Sequence, residues 1–288
     1  MSIVQKVLNH TELNNLELLL NGAFAPLNGY LNQADLSSVL TNQRLSNGKL
    51  WPLPLALTLS AAEKLQVQHS ERVMLLDDEQ RVLAEVVVDS LYRLPSAEIE
   101  LAAKFDSSIS VDTWFASGQV VPIKKILHPA FNSIRHDVPT LKQNLTGWRS
   151  IVAVQAAPAI DQADLQRACE WLSGSDVGGG LLVQINANEQ SADFHEQVRA
   201  IRSQVKCSSA RQVKLSLLPC VLGLDAQRCA LLQALVSRNY GATSFVLNSQ
   251  VPAEAQRWLL QHRDEIGLEV IPSKRKQSTN KTALNLAA

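Results

Sequence analysis

The sequence has few cysteines and aromatic residues, and it has no excess of charge of either sign. Its four cysteines (Cys169, Cys207, Cys220 and Cys229) show neither CxxC nor metal-ligand spacing. We therefore expect buried thiols in a reducing cytoplasm, with no metal or other cofactor, and we give less weight to a redox-sensing pair. Lys plus Arg and Asp plus Glu both number 27. This balance gives no reason to expect nucleic acid or an anionic membrane as a partner.

The chain also lacks a long hydrophobic run. Its hydrophobic residues, 46% of the total, never form the stretch of about 18–20 residues that spans a bilayer. Polar residues from His10 to Glu17 interrupt the N-terminal segment, which argues against a signal peptide. We expect a folded cytoplasmic protein. Its net charge of zero does not oppose association, so a homo-oligomer is compatible with the composition.

Short strand signals and turns dominate the first half of the chain. Residues 72–77 and 82–89 flank a polar turn, which predicts a β-hairpin. Helical patterns cover residues 11–20 and 32–40. The first half therefore indicates a mixed β domain with peripheral helices, followed by a linker, over residues 1–148.

The second half, residues 149–271, alternates between strand and helix. Strands are predicted at residues 151–155, 180–185, 212–217 and 243–247. Helices are predicted at residues 161–172, 191–205, 226–239 and 252–265. This alternation predicts a Rossmann-like, parallel α/β domain, in which ligands bind beyond the carboxyl ends of the strands.

The basic, polar segment at residues 272–288 is typical of a disordered tail. Its small apolar end leaves a second interpretation open, recognition by a protease.

Several motifs in order resemble the ATP sulfurylase (sulfate adenylyltransferase) family over about residues 16–250. The matching positions are residues 21–31, 35, 39, 48–55, 131, 135, 139, 147–148, 215–219 and 238–245. The resemblance implies an N-terminal PUA-like mixed β domain followed by a nucleotidyltransferase-type α/β domain. It also implies a reaction that joins sulfate to the α-phosphate of ATP, in which positive charge must hold two anions together.

The loop that the family uses for this task, QTRNPxHxxH, has lost its cations in this chain. The resemblance places Gln155 at the glutamine, Ala157 at the arginine, and Asp161 and Asp164 at the two histidines. Between Gln155 and Asp161 the chain contains no cation. Charge-assisted contacts are each worth about 1.5–3 kcal/mol. Losses of this size predict a fall of many orders of magnitude in the rate of adenylyl transfer.

Two further motifs of the family have also lost cationic residues in this chain. Asn248 begins the segment that stands in place of GRDHAG, and Gly223 and Asp225 replace an arginine and an alanine of the third segment. Arg228 matches a family arginine. By this resemblance, the degenerate anion site consists of Gln155, Asp161, Asp164, Arg228 and Asn248, without a catalytic residue.

Some of these residues allow more than one interpretation. Asp161 and Asp164 are typical of a helix N-terminus, where they cap the helix and oppose its dipole, and they could also form a DxxD cation site. Gln155 is either a hydrogen-bond donor at a strand end or a remaining oxyanion ligand.

Two main hypotheses follow for the function. The first is an ATP sulfurylase-like pseudoenzyme with a binding or regulatory role in sulfur assimilation, including association with a true ATP sulfurylase. The alternative is an active nucleotidyltransferase with altered substrate or chemistry in the same cleft.

Overall fold

The computed structural model describes residues 3–156, 159–174, 178–206, 210 and 212–273. The expectations for Ala157, for Cys207 and for all but the first two residues of the tail at 272–288 therefore lie outside the described residues. Within the described part of the chain, no helix combines the length and apolar character that a membrane crossing requires.

The N-terminal sheet is mixed, with six strands and four helices associated with the same stretch of chain. Its elements are β1 (Val4–Val7), α1 (His10–Leu20), β2 (Gly29–Tyr30), α2 (Gln33–Asn42), β3 (Leu57–Leu59), α3 (Ala61–Ser70), β4 (Arg72–Leu76), β5 (Val82–Tyr92), α4 (Ser96–Ala103) and β6 (Trp114–Pro122). The strand order is β1-β4-β5-β6-β2, and β3 pairs with β6. β4 and β5 are antiparallel, which confirms the predicted hairpin.

A short connecting region leads to the second sheet. It contains a 3-10 helix (Asn132–Ile134) and α5 (Val138–Asn144), and it ends at Trp148. The Trp148 ring lies against the start of the next sheet, where a Cβ atom added at Gly180 would come within 2.2 Å of the ring. Gly180, the first residue of a strand in that sheet, therefore permits close packing of the ring against the sheet.

The second sheet is fully parallel and alternates with helices, as the sequence predicts. Its elements are β7 (Ile151–Ala156), α6 (Gln162–Gly174), β8 (Gly180–Asn186), α7 (Phe194–Lys206), β9 (Val213–Leu218), α8 (Ala226–Asn239), β10 (Ser244–Val246), α9 (Ala253–Gln261), α10 (Arg263–Ile266) and β11 (Glu269–Ile271). The strand order is β11-β10-β7-β8-β9, with parallel pairing throughout. The order reverses between β7 and β10, and ligands of such sheets bind at that point.

Candidate functional site

The start of α6 lies directly beside the loop that follows β10. Asp161 accepts a hydrogen bond from the backbone N–H of Ala163 at 2.8 Å, and its other carboxylate oxygen accepts one from the Ser249 hydroxyl. These two hydrogen bonds hold the pKa of Asp161 below its usual range, and the Ser249 bond contributes most. Asp161 thus works as a capping residue that also ties the helix to the neighbouring loop.

Asp164 and Arg167 form a buried ion pair one turn further along α6. Their side chains are 2% and 7% exposed, respectively. Arg167 Nη2 donates both to Asp164 and, at 3.1 Å, to the backbone carbonyl of Leu247. Asp164 also accepts from the backbone N–H of Ser249 at 3.3 Å. Burial raises the pKa of Asp164, and the Arg167 guanidinium opposes that change.

The polar groups at the reversal point therefore bond to one another. No group of three or more His, Cys, Asp or Glu side chains that could hold a metal ion occurs among the described residues. Asn248, at the end of β10, accepts from the backbone N–H of Gln250 at 2.7 Å and closes a turn. The arrangement connects α6 to the end of β10.

Gln155 belongs to a second buried polar cluster on the face of the sheet that α8 covers. Its Nε2 donates to Gln184 Oε1 at 2.6 Å and to Ser237 Oγ at 3.1 Å. Its Oε1 accepts from Asn186 Nδ2. Ser237 in turn donates to Gln184 Oε1 at 2.6 Å. The cluster joins β7, β8 and α8 inside the protein.

Two polar atoms in or beside this cluster have no hydrogen-bond partner among the described residues. Gln155, Gln184 and Ser216 are neighbours in register on β7, β8 and β9, and Gln184 Nε2 and Ser216 Oγ are the unpartnered atoms. A small cavity of about 130 Å³ lies beside the cluster and is lined by Gln155, Asn186 and mainly apolar side chains. Most buried polar atoms are hydrogen-bonded, so this pair marks an incompletely satisfied region.

Arg228, in the first turn of α8, lies apart from both clusters. Its guanidinium donates to the carbonyls of Pro52 at 2.7 Å, Leu40 at 2.8 Å and Val39 at 3.0 Å. Asp225 caps the same helix by accepting from the backbone N–H of Arg228 at 2.9 Å. The structure thus brings Asp161, Asp164 and the loop at Asn248 together, but it does not bring Gln155 or Arg228 to them.

Sequence reasoning missed the partners that make these clusters. Arg167, Ser249, Gln184 and Ser237 carry no motif of their own. The i, i+3 spacing of Asp164 and Arg167 on one helix was an available signal. The pairing of Gln155 with Gln184 depends on the register between two strands, which no spacing in the sequence gives.

A larger cavity of about 460 Å³ lies where the segment after β6 passes between α1 and β9. We call it the linker cavity; it is lined by Glu17, Leu20, Asn21, residues 122–128, Asn132, Arg135, His136, Asp137 and Leu217. Burial alone would lower the pKa of His128, but hydrogen bonds to Glu17 and Glu189 raise it to about 9. Burial and the nearby Lys214 lower the pKa of His136.

Comparison with known proteins gives three consistent findings. A PUA-like domain family matches residues 2–132. Sulfate adenylyltransferase of Schizosaccharomyces pombe is 28% identical over 94% of this chain and 61% of its own length. The Saccharomyces cerevisiae sulfate adenylyltransferase is 27% identical over 91% of this chain and 56% of its own length. The chain thus spans little more than half the length of the curated relatives it matches.

A solved structure, a hexameric APS kinase from Thiobacillus denitrificans, has a TM-score of 0.75 with 24% identity. The match covers 95% of this chain and 52% of that chain. At this identity the likeness establishes the fold. The protein therefore consists of an N-terminal PUA-like domain and a parallel α/β sheet. Most of its chain is similar to sulfate adenylyltransferases.

Proposed function

We propose that this chain is an ATP sulfurylase-like protein that does not transfer an adenylyl group to sulfate and instead has a binding or regulatory role in sulfur assimilation. The relatives supply the first half of the proposal, because named sulfate adenylyltransferases are 25–28% identical over more than nine-tenths of this chain. The absence of adenylyl transfer is inferred from the cluster of Asp161, Asp164, Arg167 and Ser249 at the reversal point of the sheet.

The observation that supports the proposal is that two acidic side chains stand at the start of α6, where the resemblance expects two histidines. Asp161 and Asp164 present carboxylates at the start of α6, and they take up the donors of Ser249. Arg167 Nη2 is already shared between Asp164 and the Leu247 carbonyl. The positive end of a helix can hold an anion. Here two acidic side chains of this protein stand at that end.

The energetic consequence is large because the reaction brings two anions together. An interaction with a charged group contributes about 1.5–3 kcal/mol, and about 1.4 kcal/mol changes a rate tenfold. The chain lacks the arginine and both histidines of the family loop, and it adds two carboxylates. We therefore expect no measurable synthesis of adenylyl sulfate.

The test is an assay of the purified full chain with ATP, sulfate and Mg²⁺, which measures adenylyl sulfate, pyrophosphate release and exchange of labelled pyrophosphate into ATP. The S. pombe relative serves as the positive control. We expect signals at the level of a reaction without protein. Activity that the substitution Gln155→Ala or Arg167→Met removes would overturn the proposal.

A second candidate, an enzyme with altered substrate or chemistry in the same cleft, is favoured by one observation. Arg167 Nε is buried without a hydrogen-bond partner among the described residues, so one guanidinium donor at the site is unused. Calorimetry with ATP, ADP and AMP, each with and without Mg²⁺, tests this candidate. Binding that the double variant Asp164→Leu with Arg167→Met abolishes while circular dichroism shows it folded, and that Arg199→Met leaves intact, would support it; absence of heat would reject it.

We further propose that the protein works as a homo-oligomer or together with a true sulfate adenylyltransferase in the cytoplasm. The structural neighbour is a hexamer, which supports examining self-association first. Light scattering on the eluting full chain gives its mass in solution. Co-purification from the source cell, with and without a crosslinker, distinguishes a second copy of this chain from the enzyme.

A further inference from the structure

The linker cavity is lined by both apolar and cationic side chains. Its lining includes Ile123, Ile126 and Leu127 as well as Lys124, Lys125 and Arg135. Its volume of about 460 Å³ falls in the range of about 300–1,000 Å³ that is usual for small-molecule sites. The cavity therefore has the size and mixed lining of a ligand site.

The acidic side chains around the linker cavity already have partners. Glu17 bonds to His128 Nε2 at 2.9 Å, and Glu189 bonds to His128 Nδ1 at 3.0 Å and to Arg135. Asp137 caps α5 by accepting from the backbone N–H of Thr140 at 2.8 Å. Glu17 and Glu189 are thus paired with His128 or Arg135. Hydrogen bonding to Thr140 and the nearby Lys125 lower the pKa of Asp137, so its carboxylate keeps its charge beside the cavity.

The cationic side chains, in contrast, keep unused donors. Lys124 and Lys125 are exposed, and among the described residues neither ammonium group makes a hydrogen bond or a salt bridge.

Arg135, whose side chain is 8% exposed, has a buried Nη1 without a partner, and His136 has a buried Nε2 without one. A buried donor without an acceptor costs about 1–3 kcal/mol. Arg135 Nη1 is such a donor, and His136 Nε2 is one in the tautomer that carries its proton there, so an acceptor in the cavity would satisfy both.

We propose that the linker cavity binds a small organic anion. Its phosphate, sulfate or carboxylate group accepts hydrogen bonds from Arg135, His136 and the two lysines, and its apolar body lies against Ile123, Ile126 and Leu127. This site uses none of the residues at the ends of β7 and β10. The inference therefore goes beyond the proposed function and holds whether or not the protein transfers adenylyl groups.

The test uses isothermal titration calorimetry of the full chain with three probes: phenyl phosphate, which has an anionic group and an apolar body, inorganic phosphate, which has only the first, and phenol, which has only the second. Benzoate replaces phenyl phosphate in a parallel titration to compare the two anionic groups. We expect one phenyl phosphate per chain. We also expect affinity at least about tenfold weaker for inorganic phosphate and for phenol, which corresponds to about 1.4 kcal/mol.

Two variants connect this binding to the cavity. Lys124→Ala combined with Lys125→Ala removes two exposed charges, and His136→Phe removes a nitrogen that has no partner, so neither should unfold the protein; thermal melts followed by circular dichroism verify this. Each should weaken phenyl phosphate binding by about fivefold or more. Lys104→Ala, an exposed lysine outside the cavity, should change nothing.

Several results would overturn the inference. They are absence of phenyl phosphate binding, equal affinity for phenyl phosphate and inorganic phosphate, and unchanged affinity in both cavity variants. The assay of adenylyl transfer is independent of these titrations, so failure of one proposal is distinguishable from failure of the other.

Discussion

At the scale of single residues, a buried ion pair stands at a position where this protein differs from the family that it resembles. Asp164 occupies a position where the resemblance expects a histidine, and it is buried against Arg167. A carboxylate is stable in the interior only when a cation or several donors compensate it. The pair therefore ties the two residues together, and Arg167 Nη2 cannot turn to a ligand without leaving the Asp164 carboxylate uncompensated.

This coupling predicts the effect of removing one partner. Arg167→Met should lower the free energy of unfolding by about 3–5 kcal/mol, because it leaves the Asp164 carboxylate buried and unpaired. Urea denaturation measures the loss. The double variant Asp164→Leu with Arg167→Met should recover much of it, since both charges are then absent.

Arg199→Met is the matched control, because Arg199 is an exposed arginine in a helix. It should change the free energy of unfolding by no more than about 0.5 kcal/mol. An equally small effect of Arg167→Met would mean that the ion pair contributes little and that the carboxylate finds other compensation.

His128 gives a pH dependence at the same scale. Its pKa of about 9 in the folded protein lies above the usual value of 6.5, because Glu17 and Glu189 bind the protonated ring. A raised pKa contributes stability that is complete below pH 6.5 and disappears as the pH rises through about 9. The wild-type protein should therefore lose stability over this range relative to His128→Gln.

The comparison consists of urea unfolding of both proteins at pH 6.0, 7.5 and 9.5. We expect the advantage of the wild type to shrink by about 1–2 kcal/mol, a value reduced for partial solvent screening. An advantage that stays constant with pH would show that His128 remains in one protonation state throughout.

At the scale of secondary-structure elements, Arg228 joins the end of α2 to the start of α8. The last carbonyls of a helix have few partners within the helix. Arg228 donates to the carbonyl of Leu40, to that of Val39, which also accepts from the backbone N–H of Gln43 at 3.2 Å, and to that of Pro52. A cation is favourable at this negative end of a helix. The arginine therefore has a structural task that explains its presence without an anionic ligand.

Arg228→Met should lower the free energy of unfolding by about 2–4 kcal/mol, because three carbonyls lose charge-assisted donors. Arg228→Lys should recover only part, since an ammonium group cannot reproduce the planar fork of the guanidinium. Chemical denaturation gives both values, with the exposed Arg257→Met as the control. Full recovery by lysine would contradict a role that depends on the fork.

The elements themselves show how much the sequence can predict. The alternation of apolar and helical segments correctly predicted the strands β7, β8, β9 and β10 and the helix α8 because each buries a regular apolar pattern. It did not predict β11, which follows the last predicted helix and pairs with β10 at the edge of the sheet. The formation of this strand depends on its neighbour rather than on its own pattern.

The candidate site was less predictable for the same physical reason. The sequence drew attention to Asp161 and Asp164, whose i, i+3 spacing is local. It did not indicate that Ser249, more than eighty residues later, bonds to both. It also grouped Arg228 with them, although the structure places its guanidinium against α2. Contacts between distant residues depend on the packing of whole elements, which a single sequence does not reveal.

At the scale of the whole molecule, one of the two buried hydrophobic clusters spans both sheets, and the other belongs mainly to the second sheet. A single buried cluster includes Phe24, Trp51 and Phe115 from the N-terminal half and Tyr240 and Phe245 from the second. Hydrogen bonds also join the two halves of the chain. Asn239 donates to the carbonyls of Ala23 at 2.8 Å and Ala25 at 2.7 Å, and Tyr240 donates to that of His136 at 3.0 Å.

The shared core predicts that the division into residues 1–148 and 149–271 does not produce two units that fold alone. A fragment of residues 149–288 would expose the apolar face of α8 and leave Asn239 without its acceptors, so we expect it to bind an apolar dye and to melt without a cooperative transition.

The full chain should unfold in one transition, with tryptophan fluorescence and circular dichroism coinciding. Adding residues 1–148 as a separate chain should restore near-ultraviolet dichroism, since the interface is built from side chains on both parts. A cooperative melt of the fragment alone would instead identify an autonomous α/β domain and would place the interface among the ordinary contacts between domains.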